Sequence, residues 1–113
     1  MKVEFEKIKE FCDRIAEAYN PQKIILFGSH ARGDAGEDSD VDILVIMDFE
    51  GRWVHKAVEM RSRFHGGFPL DLLVKTPEKI RERLAMEDWF IEDILAEGVV
   101  MYERSNVAEV IHA

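Results

Sequence analysis

Apolar residues at Phe5, Ile8, Phe11, Cys12, Ile15, Ala16 and Tyr19 recur at intervals of three and four, the period of one helical face, and predict an amphipathic helix. Asn20-Pro21 ends it, because proline disfavours helical geometry at the residue before it. Lys23-Ile24-Ile25-Leu26-Phe27, short, apolar and closed by Gly28, reads as a buried strand. Ser29 to Asp34 allows one or two helical turns. Gly33, Gly36 and Glu37-Asp38-Ser39 then make a loop. Asp40 to Met47 begins with alternation and becomes continuously apolar, as in a central strand covered on both faces.

Further on, Arg52 to Phe64 carries Trp53, Ala57, Met60 and Phe64 on one helical stripe, broken by Gly66-Gly67. Pro69 to Lys75 is a third strand, with its proline at the first residue, where no interior ladder bond is lost. Thr76-Pro77-Glu78 is a helix start: Thr as N-cap, Pro at the first helical position, an acid in the first turn. One or two helices run to Glu97, with Gly98 expected as a left-handed cap, and Val99 to Tyr102 is a short final strand. This order predicts an α/β (α+β) fold, a sheet covered by helices in two or three layers. Residues 1–113 read as a single domain, with a core over 1–103 and a flexible tail over 104–113.

Composition narrows the function classes. A hydrophobic share of 47% with 34% charged residues excludes a disordered tail and a coiled coil. The longest apolar run, Ile43 to Met47, is far short of a spanning helix, and MKVEFEKIKEF has no signal-peptide core, so a cytoplasmic location is expected. Lys and Arg number 15 against 23 Asp and Glu, a net charge of −8, which argues against direct nucleic-acid binding. The same charge permits a basic or neutral protein partner, or an anionic ligand held through a metal. The single cysteine, Cys12, can form no internal disulfide and reads as a small buried hydrophobe.

Three carboxylates stand where a core would not choose them. Asp40 and Asp42, two apart on one strand, point to the same face, and Asp71 interrupts an otherwise apolar third strand. If those strands are neighbours, the acids converge on a patch that repels itself unless a cation sits in it, and oxygen-only ligands favour Mg²⁺ or Mn²⁺. A bare Asp-x-Asp is equally the solvated start of a strand, and Asp71 could pair with an arginine. Upstream, Phe27-Gly28-Ser29-His30-Ala31-Arg32-Gly33 is a strand ending in a Gly-Ser turn. Gly28 would let a ligand approach the backbone, and the turn's N–H groups suit a phosphate, although Gly-Ser alone is also an ordinary helix N-cap. Arg32 could reach a phosphate or pair with Asp34 or Asp38. His30 could contact a nucleotide or lie on the surface. His55, His65 and His112 lack metal-ligand spacing, and Trp53 and Trp89 fit core or a partner interface.

Gly28-Ser29, ten intervening residues, Asp40-x-Asp42 and a later strand Asp71 together resemble the nucleotidyltransferase superfamily of DNA polymerase beta type. The string GSHARGDAGEDSDVDILV resembles its small prokaryotic branch, the minimal nucleotidyltransferases that serve as antitoxins to HEPN toxins. The resemblance implies a mixed sheet of about four strands. It also implies that Gly28, Ser29 and, less directly, Arg32 bind the triphosphate of ATP, while Asp40 and Asp42 bind two Mg²⁺ ions and Asp71 completes the catalytic metal's site. The implied function is transfer of AMP to a hydroxyl, a tyrosine in the family, on a separate HEPN toxin, within a hetero-oligomer. Two other readings stand beside it: adenylyl transfer to a small molecule bound by a partner subunit, and an antitoxin that masks its partner without catalysis.

Overall fold

In the computed structural model, which describes residues 3–105, the chain runs α1 (Phe5–Tyr19), β1 (Lys23–Phe27), α2 (Ser29–Arg32), β2 (Val41–Ile46), α3 (Trp53–Arg63), β3 (Leu70–Lys75), α4 (Pro77–Ala85), α5 (Trp89–Glu97) and β4 (Val99–Glu103). The helical stripe of α1 buries Ile8, Phe11, Cys12 and Ile15, and the helix stops where Asn20 turns left-handed at φ 45°. The Cys12 thiol, enclosed in this layer, is pushed up to about 12 by burial, as an inert core group would be. Of the expected tail, Arg104 is pinned: its N–H donates to the Gln22 carbonyl at 3.0 Å and its guanidinium to the Asn20 carbonyl at 3.1 Å. Residues 106–113 lie outside the described residues.

The strands order as β3-β2-β1-β4. β1 pairs antiparallel with both β2 and β4, while β2 and β3 run parallel through the α3 crossover, so the sheet is mixed, as expected. Alternation along each strand divides the interior in two. Ile24, Leu26, Val41, Ile43, Val45, Leu72 and Val74 pack with α1 and α3. Ile25, Phe27, Leu44 and Ile46 pack with Ile80 of α4 and Ile91 and Ile94 of α5. β2, buried on both faces except at Asp42, is the central strand its apolar run predicts.

One expectation left open by the sequence is settled, and one is corrected. The segment after Thr76 is two helices, parted at Met86-Glu87-Asp88 without glycine or proline: Glu87 takes φ 58°, and Asp88 caps α5 by accepting from the N–H groups of Phe90 and Ile91 at 3.0 and 3.3 Å. Gly98 is not a left-handed cap. Its φ of −70° and ψ of 159° are extended, and its glycine character answers a close approach instead, since a Cβ there would overlap Ile25 and the Ile94 carbonyl. Thr76, by contrast, caps α4 as expected, its hydroxyl accepting from the Lys79 N–H at 3.0 Å. Among the described residues no helix is long and apolar enough to cross a membrane.

Candidate active site

The register of the sheet builds this site. Phe27 of β1, Asp42 of β2 and Asp71 of β3 are successive partners across three strands, so their side chains emerge on one face along one row. That is the face covered by α4 and α5. The helices leave this end of it open as a cleft of about 350 Å³, lined by Gly28, Arg32, Asp42 and Asp71 on the sheet side and by Phe90, Asp93, Ile94 and Glu97 of α5 opposite.

Asp42 is half-buried and Asp71, on the edge strand, is exposed. Burial pushes the Asp42 carboxyl above the usual carboxylate range, and the negative charges of Asp71 and Asp40, with a hydrogen-bond contact to Asp71, push it the same way. An acid so placed favours either a proton or a cation. Asp40, just before β2, is exposed and stands outside the cleft lining, close enough for its charge to act on Asp42. Among the described residues no three His, Cys, Asp or Glu side chains are gathered as a ready metal cage. The Asp42–Asp71 pair fits Mg²⁺ without one, because that ion is usually held by one or two carboxylates, with waters and substrate phosphates completing the shell.

Gly28 closes the other side of Asp42. Its φ is 73°, and a Cβ added there would overlap the Asp42 carboxylate and stand 3.1 Å from its Cγ. The glycine therefore serves two requirements at once, a left-handed backbone and room for the acid. Gly28→Ala is expected to lower stability by about 1–3 kcal/mol and to displace the Asp42 carboxylate; thermal denaturation and a crystal structure of the variant check both.

Around this core, Ser29 is the first residue of α2 with Gly28 as N-cap, and no side chain caps that helix, so the Ser29 hydroxyl does not do so. Ser29 lies beside the cleft and not in its lining. Arg32 makes the ion pair of one of its two sequence readings, its Nε 3.2 Å from Asp34 Oδ2, and it also lines the cleft. With both side chains more than half exposed, that pair is worth only about 0–1 kcal/mol and holds the guanidinium weakly. His30 is neither a plain surface residue nor in the cleft lining. Its Nδ1 lies 3.1 Å from the Asp40 carbonyl oxygen, joining α2 to the start of β2, and its buried Nε2 has no hydrogen-bond partner among the described residues. Trp53 packs against the core with Lys75 Nζ 5.1 Å from its ring, whereas Trp89 is 79% exposed and so is no core residue.

The residues that sequence reading missed are those of α5. Phe90, Asp93, Ile94 and Glu97 fall at i, i+3, i+4 and i+7, one helical stripe on which two acids share the inward face with apolar residues. The signal was present as acids on the wrong face of a covering helix.

Residues 6–104 match the family model of the nucleotidyltransferase domain. A candidate protein adenylyltransferase of Methanocaldococcus jannaschii is 34% identical over 103 residues, spanning 88% of this chain and 98% of that protein. The protein adenylyltransferase MntA of Thermococcus cleftensis is 40% identical over 68 residues, 58% of this chain and 67% of that protein. Among solved structures, a candidate nucleotidyltransferase from Sulfolobus solfataricus, 26% identical, superimposes with a TM-score of 0.61 over 88% of this chain and 79% of its own. A toxin–antitoxin structure with AMP-PNP, 18% identical, shares the fold with a TM-score of 0.60 over 90% of this chain and 78% of its own.

Proposed function

The chain belongs to the nucleotidyltransferase domain family, and on that premise we propose that it is a cytoplasmic antitoxin that transfers AMP from ATP to a hydroxyl of a HEPN toxin, a tyrosine being the expected acceptor. The observation that carries this reading is the Asp42–Asp71 row closed by Gly28 in a single cleft. The adenylyltransferase names of the relatives from Methanocaldococcus and Thermococcus support the adenylyl group, and the toxin–antitoxin neighbour agrees with the antitoxin role.

In the reaction the acceptor oxygen bonds to the α-phosphorus, the bond from that phosphorus to the bridging oxygen breaks, and pyrophosphate leaves as the hydroxyl gives up its proton. Mg²⁺ held by Asp42 and Asp71, with Asp40 beside them, would lower the pKa of the attacking hydroxyl and neutralise charge on the leaving pyrophosphate. Gly28 and Ser29 give the triphosphate a close backbone approach, and Arg32 offers it a planar guanidinium. Asp71, exposed on the edge strand, is open to an acceptor hydroxyl, while Asp42 is half-buried beside Gly28. In-line displacement needs no covalent enzyme intermediate, and the lining offers no Ser, Cys or His beside a base to form one.

The test is to co-purify the chain with its natural partner, incubate the pair with Mg²⁺ and ATP, and read the intact mass of both chains. A gain of one or more adenylyl groups on the partner supports the proposal. A stable complex with no gain would favour a small-molecule acceptor or neutralisation by masking.

A further inference from the structure

The inward stripe of α5 is not built as a covering helix would be. Ile94 is buried against the sheet, and Phe90, 53% exposed, rests edge-to-face on Phe27 with ring centroids 5.7 Å apart. Between and beyond them Asp93 and Glu97 present exposed carboxylates to the cleft, neither in an ion pair among the described residues. They face the Asp42–Asp71 pair across that space, with Gly28 and Arg32, proposed above to meet the triphosphate, on the sheet side. Four acids around one cleft repel one another and a triphosphate, so the α5 pair suits an uncharged part of a ligand that offers it donors. An ionised carboxylate only accepts hydrogen bonds, and beside an aromatic ring and an isoleucine the complementary ligand is flat, apolar on its faces and bears N–H donors at its edge.

We propose that this face of α5 is the nucleobase-reading wall of the cleft: Phe90 and Ile94 contact the base, and Asp93 and Glu97 accept hydrogen bonds from its exocyclic amino group. The proposal rests on the reading of the cleft as a nucleotide site and adds the residues that select the base. It makes the wall a specificity element, separate from the residues that handle phosphate and metal. A base that lacks the amino donor leaves both carboxylates facing an apolar edge and loses their contribution.

The deciding contrast is ATP against purine riboside triphosphate, which lacks only the 6-amino group, each titrated calorimetrically into the intact chain with Mg²⁺. The amino group is expected to tighten binding about 10- to 100-fold, the range of one hydrogen bond to a charged acceptor. In the Asp93→Ala/Glu97→Ala double variant, whose altered side chains are exposed, the ratio of the two affinities should fall towards one, since relief of the acids' repulsion on the triphosphate acts on both nucleotides alike. Phe90→Ala should weaken both ligands alike. Equal binding of the two nucleotides by the unmodified chain would overturn the base-reading wall and leave the nucleotide site standing. An undiminished ratio in the double variant would overturn it as well, placing base selection elsewhere. Binding of neither nucleotide would overturn this inference together with the reading beneath it.

Discussion

Asp42→Asn is expected to reduce nucleotidyl transfer by about 10³-fold, equivalent to about 4 kcal/mol of lost transition-state stabilisation, while leaving the partner complex intact. The same substitution should make the metal-free protein more stable at neutral pH. The Asp42 carboxyl is half-buried, crowded by Asp71 and Asp40, and held above the ordinary carboxylate range, so the folded chain binds its proton more tightly than the unfolded chain does. This group's contribution to stability is therefore greatest below the ordinary carboxylate pKa and is lost as pH rises through the raised value. An amide removes that loss and can donate to Asp71. Melting curves of both proteins from about pH 4 to about pH 7, without divalent metal, should show the unmodified chain losing ground to the variant as pH rises. An unchanged transfer rate would remove Asp42 from the chemistry, and a lower melting temperature throughout would mean that its carboxylate is stabilising after all.

Asp71→Asn should separate catalysis from binding. Asp71 shares a rung with Asp42 yet lies exposed on the edge strand, open to an incoming acceptor. Its loss is expected to lower kcat by about 10²- to 10³-fold while the dissociation constant of Mg-ATP changes by less than about threefold, the pattern of a group whose interaction is made mainly in the transition state. Single-turnover transfer and equilibrium titration of the same preparation would resolve the two. Equal losses in both would reassign Asp71 to nucleotide binding.

What could be read from the sequence follows from how far each signal reaches along the chain. β1, the buried run of β2 and the Thr76 cap are set by neighbours within a few residues, and periodicity exposes them, whereas Asp40, read as part of the same strand as Asp42, falls just before β2 and outside the cleft lining. The meeting of Asp42 with Asp71 was only conditional, because it depends on a parallel pairing across the α3 crossover that no local pattern encodes. Gly98 was misread for a related reason: its constraint is the proximity of Ile25, a residue on a different element. Whether one helix or two follow Thr76 stayed open because the break turns on Glu87 in a left-handed conformation that local sequence gives a glutamate no reason to take. Asp93 and Glu97 are not singled out by the sequence, because only the packing of α5 on the sheet decides which side of that helix is inward.

The parallel pairing of β2 with β3 also sets when, during synthesis, the chain becomes competent. An emerging polypeptide that has reached β2 carries Gly28, Asp40 and Asp42 but lacks the strand that brings Asp71 alongside, and translation must pass the α3 crossover before the acidic row exists. α5 arrives later still, and β4 after it, to pair with β1, a strand made near the beginning. A prematurely terminated product would thus hold half of the carboxylate pair and no opposing helix. Whatever needs both the acidic row and the helix opposite it must wait until β3 and α5 have been made.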